Sequence, residues 1–369
     1  MKKWMIWAFV ILISAGSFVA CSKESVEDDS FEMHTETIEN VKEVAWIDRI
    51  EIPTELRVFY DTLVEGADND GIADILIEDS YFAEDSLLEV LTISGQAASE
   101  EEMENELESI KEEYTQLIHA TFEAFTYDHP EVFWIGKRDV VNRSVKSYTD
   151  TFEYSATFYF TLKDEEFDIR MDEYRSQVEI KYAINTFDAQ IDQILAQAEG
   201  KSNYEKLVYF NEYLTTHNEY NTKLDYDSTP LSSRNSICAI LGSIGDNGPV
   251  CEAYAKAFKV LCDKSGIPCI SVIGSVYNPK INEVPTSHQW NYVGLDGAWY
   301  AVDVTWNDPI SEEEAGAISG KEIDTWFLLG SDSLADDMKF SETHRSDNEW
   351  RDGYYFSEEP ILSKKAYVP

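Results

Sequence analysis

The chain has 369 residues, of which 71 are acidic and 29 are basic, and its formal net charge is −42. A surface this acidic repels nucleic acids and other polyanions, so nucleic-acid binding is excluded as a function. Hydrophobic residues make up 43% of the chain and aromatic residues 13%, which excludes an acidic disordered tail and predicts a folded globular protein.

The first segment has the features of an export signal. A pair of lysines precedes an apolar run over residues 4–13, which is too short to span a membrane as a helix. Cys21 then follows directly after a small residue, as at a bacterial lipoprotein cleavage site, although Phe18 stands where leucine is usual. We therefore expect a signal peptide over residues 1–20 and a lipid on Cys21 that anchors the chain to the extracellular face of the cell membrane. Ordinary secretion with cleavage nearby is the alternative.

Two regions lie between the expected signal peptide and the segment that contains Cys251. Residues 21–50 are acidic and have no apolar period, which predicts a linker. Residues 51–199 are expected to form a separate N-terminal α+β domain. Its clearest predicted elements are a helix and three strands, at Ser99–Phe125, Val132–Ile135, Val140–Ser147 and Phe152–Leu162.

An acidic loop at Asp68–Asp74 resembles a calcium-binding loop. The ligand spacing does not fit, because Gly66 and Ile77 fall at the first and twelfth positions of the calcium pattern. A solvated acidic turn and a calcium site both stay open, and the second would make the protein a calcium-binding adhesin. We see no zinc-ligand spacing, and no metal or cofactor is expected.

Residues 200–369 begin with a predicted helix over Asn203–Thr216, and a second helix is predicted to start near Cys251. Apolar residues recur there at helical spacing, at Tyr254, Ala257, Phe258 and Leu261, and the pattern stops at Ser265-Gly266. The helix dipole favours an anion in the first turn by only about 0.3–1 kcal/mol, which is less than the roughly 1.36 kcal/mol of one pKa unit. A thiolate nucleophile at Cys251 therefore needs a charged imidazole as well.

The imidazole is supplied by a predicted β-hairpin around Asp296-Gly297, a strong two-residue turn. Its strands are predicted over Trp290–Val293 and Trp299–Trp306. With a two-residue turn the numbers of facing residues sum to 593, so Trp290 faces Asp303 and His288 faces Thr305. Asp303 is then the diagonal neighbour of His288 on the same face, roughly 7–8 Å away between backbones. A three-residue loop would reverse this parity. The two-residue register predicts a hydrogen bond between imidazole and carboxylate.

The stretch from Gly248 to Asp308 closely resembles the transglutaminase-like superfamily, specifically its bacterial secreted members. The similarity is carried, in order, by V-C-E-A-Y-A-K-A-F, G-I-P-C, H-Q-W-N-Y-V and W-Y-A-V-D-V-T-W-N-D-P. The resemblance implies an α+β fold with a papain-like core, in which a helix carrying the cysteine packs on an antiparallel sheet carrying the histidine and aspartate. It also implies Cys251 as nucleophile, His288 as base and Asp303 as the orienting carboxylate.

Three aromatic residues are candidates for the substrate cleft. Tyr220 resembles a family position near the cleft, whereas Trp290 and Trp306 flank the base and the acid. The tryptophans have two interpretations, as apolar walls that keep water from the His–Asp bond and as platforms for substrate. Past them, Trp326–Gly330 is predicted to be a final strand, and His344 is expected to be a surface or packing residue.

Cys21 and Cys251 leave three of the five cysteines to be explained. Cys238, Cys262 and Cys269 are expected to be buried small apolar residues, with a bridge between the last two as the alternative.

The implied chemistry is thiol-dependent acyl transfer on peptide or carboxamide bonds. Release of the acyl group to water would make the protein a protease or amidase, and release to an amine would make it a transglutaminase. The expected partners are a peptide or protein substrate in the cell envelope and the membrane itself, through the lipid on Cys21. The alternative is a non-catalytic module that retains the triad and binds wall peptides or a protein partner.

Overall fold

A computed structural model of the chain describes residues 54–67, 87–135, 142–148, 152–163, 168–223, 231–277, 285–308, 324–346 and 360–369. The expected signal peptide, Cys21, the linker and the acidic Asp68–Asp74 loop lie outside these residues. No helix in the described ranges is both long enough and apolar enough to cross a membrane. The domain boundaries inferred from the sequence stay predictions.

The described elements are helices and antiparallel strands. The helices are α1 (Thr54–Ala67), α2 (Glu100–Asp128), α3 (Gln177–Ala198), α4 (Asn203–His217), α5 (Ser236–Leu241), α6 (Cys251–Lys264), α7 (Val304–Asn307) and α8 (Phe340–Thr343), with 3-10 turns at Leu231–Arg234 and Gly245–Asn247. The strands are β1 (Leu87–Gln96), β2 (Asn142–Tyr148), β3 (Glu153–Thr161), β4 (Cys269–Val276), β5 (Thr286–Leu295), β6 (Ala298–Val302), β7 (Leu334–Ala335), β8 (Met338–Lys339) and β9 (His344–Ser346). They form sheets in the orders β1-β3-β2, β6-β5-β4-β9 and β7-β8.

The first sheet packs with α1 and α2. The predicted helix is present as α2, which begins after the Ser99 N-cap, where the serine hydroxyl accepts the N–H of Glu102. The alternation of buried and more exposed residues predicted for β3 is confirmed. Its buried face consists of Tyr154, Ala156, Phe158 and Phe160. The rings of Phe122 on α2 and Phe160 on β3 lie 4.8 Å apart.

The strand predicted over Val132–Ile135 is wrong. Backbone carbonyls in this segment bond to separate parts of the chain instead of to one neighbouring strand. The Phe133 carbonyl accepts from the Asn235 side chain at 2.6 Å, and the Trp134 carbonyl accepts from Met171 N–H at 2.8 Å. The segment thereby packs at the N-cap of α5, next to α6.

Helix α6 is the central element of the second half. It begins at Cys251 and ends at Lys264, as the apolar spacing predicts, and Gly266 has a positive φ of 71° just beyond it. Its apolar face packs on β4 and β5. The Asn291 side chain on β5 ties the two together by donating to the Ala255 carbonyl at 2.9 Å.

The hairpin of β5 and β6 has the predicted register. Asn291 faces Val302 and Leu295 faces Ala298. Asp296 and Gly297 have φ values of 50° and 77°, the pair of left-handed residues that a type I′ turn requires. The second strand is shorter than predicted, because the Asp303 side chain accepts the Trp306 N–H at 3.0 Å and turns the chain into α7.

The final strand predicted over Trp326–Gly330 is also wrong. Only Leu329 forms a bridge, to Ala301 of β6. Leu328 has a φ of 50°, which breaks the extended backbone. The other edge of the sheet is instead formed by β9, which pairs with β4 through Ser346 and Gly274.

Candidate active site

A hydrogen bond joins His288 and Asp303, as the hairpin register predicts. His288 lies on β5, and Asp303 follows the last residue of β6. The Nε2 atom of His288 is 2.7 Å from Oδ2 of Asp303, and the residues are 6% and 0% exposed. A carboxylate only accepts hydrogen bonds, so Nε2 carries the proton and donates.

Burial and the partner charge act in opposite directions on this pair. Burial lowers the pKa of His288, but the Asp303 carboxylate and then the Cys251 side chain outweigh it and raise the pKa to about 10. Burial raises the pKa of Asp303, but the His288 charge and hydrogen bonds from both His288 and His344 hold it well below its usual range. At neutral pH the pair is therefore an imidazolium and a carboxylate.

Cys251 is the first residue of α6 and is half-buried. A hydrogen bond between its side chain and His288 is among the contacts that raise the histidine pKa. Because Nε2 of His288 is occupied by Asp303, the ring nitrogen left for Cys251 is Nδ1. The structure thus brings together, in series, the thiol, the imidazole and the carboxylate that the sequence singled out.

His344 is the residue that sequence reasoning missed. It is neither on the surface nor simply packed, since its Nε2 lies 3.0 Å from the same Asp303 oxygen, Oδ2, and the residue is 5% exposed. Its Nδ1 lies 2.9 Å from the Thr343 hydroxyl. Burial lowers the pKa of His344 in spite of the nearby carboxylate, so its ring is neutral. No local pattern around His344 indicates this role, because the contact depends on β9 reaching the sheet edge.

Aromatic rings enclose the buried histidines. The rings of Trp290 and Trp306 lie 6.1 and 5.8 Å from that of His288. Trp306, Trp326 and Phe340 lie 4.7, 5.4 and 4.3 Å from His344. Trp290 is 1% exposed and Trp306 is 7% exposed, which fits the interpretation as apolar walls. Their contact with a substrate stays a prediction.

Tyr220 lies beside α6 and is half-buried. Its ring stacks on that of Tyr254 at 6.4 Å, and the Tyr254 hydroxyl donates to the Asp308 carboxylate. Burial raises the pKa of Asp308 to about 6, although the Tyr254 hydroxyl and the Tyr220 N–H stabilise its charged form. Tyr220 therefore belongs to a small polar group one helical turn from Cys251, and its contact with a substrate stays a prediction.

The three remaining cysteines of the described chain, Cys238, Cys262 and Cys269, are buried and free, as expected. Burial raises the pKa of Cys238 to about 11 and that of Cys262 well above its usual value. Cys238 and Cys262 are therefore poor nucleophiles in the folded protein.

His288, Asp303 and His344 also have the donor types of a metal site, with candidate ligand atoms within 4.8 Å of one another. Both Nε2 atoms, however, already lie at hydrogen-bond distance from one carboxylate oxygen. A metal ion would have to replace both bonds. The three residues therefore form a hydrogen-bonded group in which both imidazoles already donate to the carboxylate.

Part of the chain is similar to known proteins. Residues 191–304 match the family described as the Transglutaminase-like superfamily. This segment contains Cys251, His288 and Asp303 and ends before His344. The kyphoscoliosis peptidase of Mus musculus is 24% identical over 186 residues, which cover 48% of this chain and 25% of that protein. The chain thus spans about a quarter of the length of this relative. Residues 191–304 are thus similar to the transglutaminase-like superfamily, and the fold class predicted from the sequence is confirmed.

Proposed function

We propose that the protein is a thiol-dependent acyltransferase or peptidase acting on carboxamide or peptide bonds. The observation that carries the proposal is the 2.7 Å bond from His288 to Asp303, with the other side of the imidazole on Cys251 at the start of α6. Two further findings support it, the match to the transglutaminase-like superfamily and the similarity to a protein named a peptidase.

Acylation begins from a Cys251 thiolate and a His288 imidazolium. The sulfur attacks the carbonyl carbon, and the resulting oxyanion collapses with cleavage of the C–N bond. The proton on His288 Nδ1 passes to the leaving nitrogen, which departs as ammonia or an amine. The products are a thioester on Cys251 and a neutral imidazole, whose Nε2 proton stays on the bond to Asp303.

The second half reverses these roles. Water or an amine approaches the thioester, and Nδ1 of the neutral His288 accepts a proton from it as it attacks the carbonyl carbon. The C–S bond then breaks and restores the thiolate and imidazolium. Attack by water completes hydrolysis, whereas attack by an amine completes transamidation.

The start of α6 can stabilise the oxyanion. The first N–H groups of a helix have no partners within the helix, and the N-cap residue, Val250, provides no side-chain hydrogen bond to them. The Cys251 N–H is therefore available to donate one hydrogen bond to the oxyanion.

We further propose that this chemistry takes place at the outer face of the cell membrane, on a peptide or protein of the envelope. The support is in the sequence, where two lysines and a short apolar run precede Cys21. A lipid on Cys21 would keep the folded part close to the membrane.

The proposal can be tested with the full chain and an N-acetylated peptide library that contains glutamine. The library is incubated with and without a primary amine carrying a mass label, and products are identified by mass spectrometry. We expect hydrolysed or amine-linked peptides with the wild type and none with Cys251→Ala. The ratio of the two products identifies the acceptor. Absence of both products at high enzyme concentration would favour a binding module that retains the triad.

A further inference from the structure

We propose that His344 is a positioning residue that holds the Asp303 carboxylate toward His288. The inference rests on the proposed function only in taking His288 and Asp303 as the acid–base part of the site. It concerns a residue outside the 191–304 segment that matches the family.

The first argument is the set of donors around the carboxylate. Oδ1 of Asp303 accepts the backbone N–H of Trp306 at 3.0 Å. Oδ2 accepts from His288 at 2.7 Å and from His344 at 3.0 Å. Without His344, the bond to Oδ2 would depend on His288 alone, which is the group that Asp303 has to orient. The His344 bond holds Oδ2 independently of the protonation of His288.

The second argument is the protonation of His344 itself. A carboxylate cannot donate, so Nε2 of His344 must carry a proton. The neutral ring then has its proton on Nε2, and the bond to Asp303 selects this tautomer. The unprotonated Nδ1 lies 2.9 Å from the Thr343 hydroxyl, which also lies 3.0 Å from the carbonyl oxygen of Phe340.

The third argument is the rigid placement of the ring. His344 is stacked on Phe340 at 4.3 Å and meets the edge of Trp306 at 4.7 Å. Its strand, β9, is fixed to β4 by pairing with Gly274, Ser275 and Val276. A donor with a fixed ring in an apolar enclosure loses little freedom when it binds the carboxylate, and its hydrogen bond is not weakened by competing water.

The arrangement has a consequence for the cycle. His288 donates its Nδ1 proton in acylation and takes one up in the second half, so its attraction to Asp303 changes at each step. The His344 bond keeps Oδ2 facing His288 through both states.

The test compares two substitutions of His344, which separate the effect of its hydrogen-bond donor from the effect of its aromatic ring. His344→Phe keeps an aromatic ring among its neighbours and removes the donor, whereas His344→Gln places an amide N–H near the position of Nε2. The readout is the rate at which iodoacetamide alkylates Cys251 in the full chain, measured from pH 5 to 9. This reagent needs no substrate, so a protein that turned over no peptide would still report on His344.

We expect His344→Phe to slow alkylation of Cys251 at pH 6 by about tenfold or more, the size of one hydrogen bond to a charged group, and to give the rate a steeper rise with pH. His344→Gln should recover most of the loss. In Asp303→Asn, adding His344→Phe should cause little further change, because His344 acts through Asp303.

A wild-type rate in His344→Phe would overturn the proposal, and so would equal rates in the Phe and Gln variants. Labelling of Cys262 or Cys269 would reveal unfolding of a variant, since both are buried in the native protein. In that case the wild type decides, through the nitrogen chemical shifts of the His344 ring at pH 7. We expect a protonated Nε2, and an Nε2 without a proton would contradict the role of His344, because such a ring cannot donate to Asp303.

Discussion

The backbone N–H of Trp306 donates to the same carboxylate, that of Asp303, which accepts the proton-bearing Nε2 of His288. Asp303 is thus both the N-cap of α7 and the orienting group of the site. The two roles use different oxygens, Oδ1 and Oδ2, and can be separated by substitution.

Asp303→Asn should retain the fold and lower turnover by about 10³- to 10⁴-fold. Asparagine is as good an N-cap as aspartate, so α7 should be preserved. Its amide can donate to Nε2 and leave the remaining proton on Nδ1, where a neutral His288 could no longer act as a base. The measurement is peptide turnover together with the thermal midpoint.

Asp303→Ala is the matched control, because it removes the cap as well. We expect a lower midpoint than for the asparagine variant, by an amount that reflects the lost cap, about 1 kcal/mol. Undiminished turnover in Asp303→Asn would mean that another group orients His288.

The elements that could be predicted from the sequence depend on local patterns. Helix α6 follows from apolar spacing, and the hairpin register follows from Asp296-Gly297, since a two-residue turn fixes every later pair. Together these place Cys251 at a helix start and His288 beside Asp303. The approach of Cys251 to His288 is implied only by the family resemblance, because it depends on the packing of α6 on β5.

The elements that could not be predicted depend on contacts between distant residues. His344 meets Asp303 across 41 positions, and only the pairing of β9 with β4 brings it there. Trp326–Gly330 has a strand-like composition, but the left-handed backbone at Leu328 interrupts it. Composition reports burial, which this segment has, and does not report the φ angle of a single residue.

The raised pKa of His288 makes stability depend on pH in a defined direction. The folded pKa is about 10, compared with an unfolded value of about 6.5. Because the folded value is higher, the contribution of His288 is complete below about pH 6.5 and is lost as pH rises through 10. In that window the free energy of unfolding should fall by up to about 1.4 kcal/mol per pH unit through this group.

Denaturant unfolding of the wild type and of His288→Gln between pH 6 and 10 isolates this contribution. The glutamine variant lacks the titrating group and keeps a donor for Asp303. As pH rises, the free energy of unfolding of the wild type should fall relative to that of the glutamine variant. A difference that stays constant over the window would show that His288 does not carry the extra proton.

Gly274→Ala should destabilise the edge of the sheet that carries His344. An added Cβ would lie 2.0 Å from the Arg345 carbonyl oxygen and 2.8 Å from Cα of Ser346, and these backbone atoms cannot move without shifting β9. We expect a loss of about 1–3 kcal/mol in the free energy of unfolding and slower alkylation of Cys251. Ser275→Ala, the neighbouring position, is the control. Equal stability of the two variants would contradict the close approach of β9.

The anchor can be tested at Cys21. If a lipid is attached there, Cys21→Ser should release the protein from membranes or leave its signal peptide uncleaved. Fractionation and the mass of the mature N-terminus give the result. A variant that is processed and fractionates like the wild type would rule out the lipoprotein.

The central claim, that His288 activates Cys251, is tested most directly by native alkylation with iodoacetamide at about pH 6. The chain offers its own controls, since Cys238, Cys262 and Cys269 are buried and should react only after unfolding. The account predicts a single modified site, Cys251, whose rate falls sharply in His288→Ala, because only the helix dipole, about 0.3–1 kcal/mol, would remain to favour the thiolate. Equal labelling of several cysteines in the native protein, or a Cys251 rate that is the same with and without His288, would contradict it.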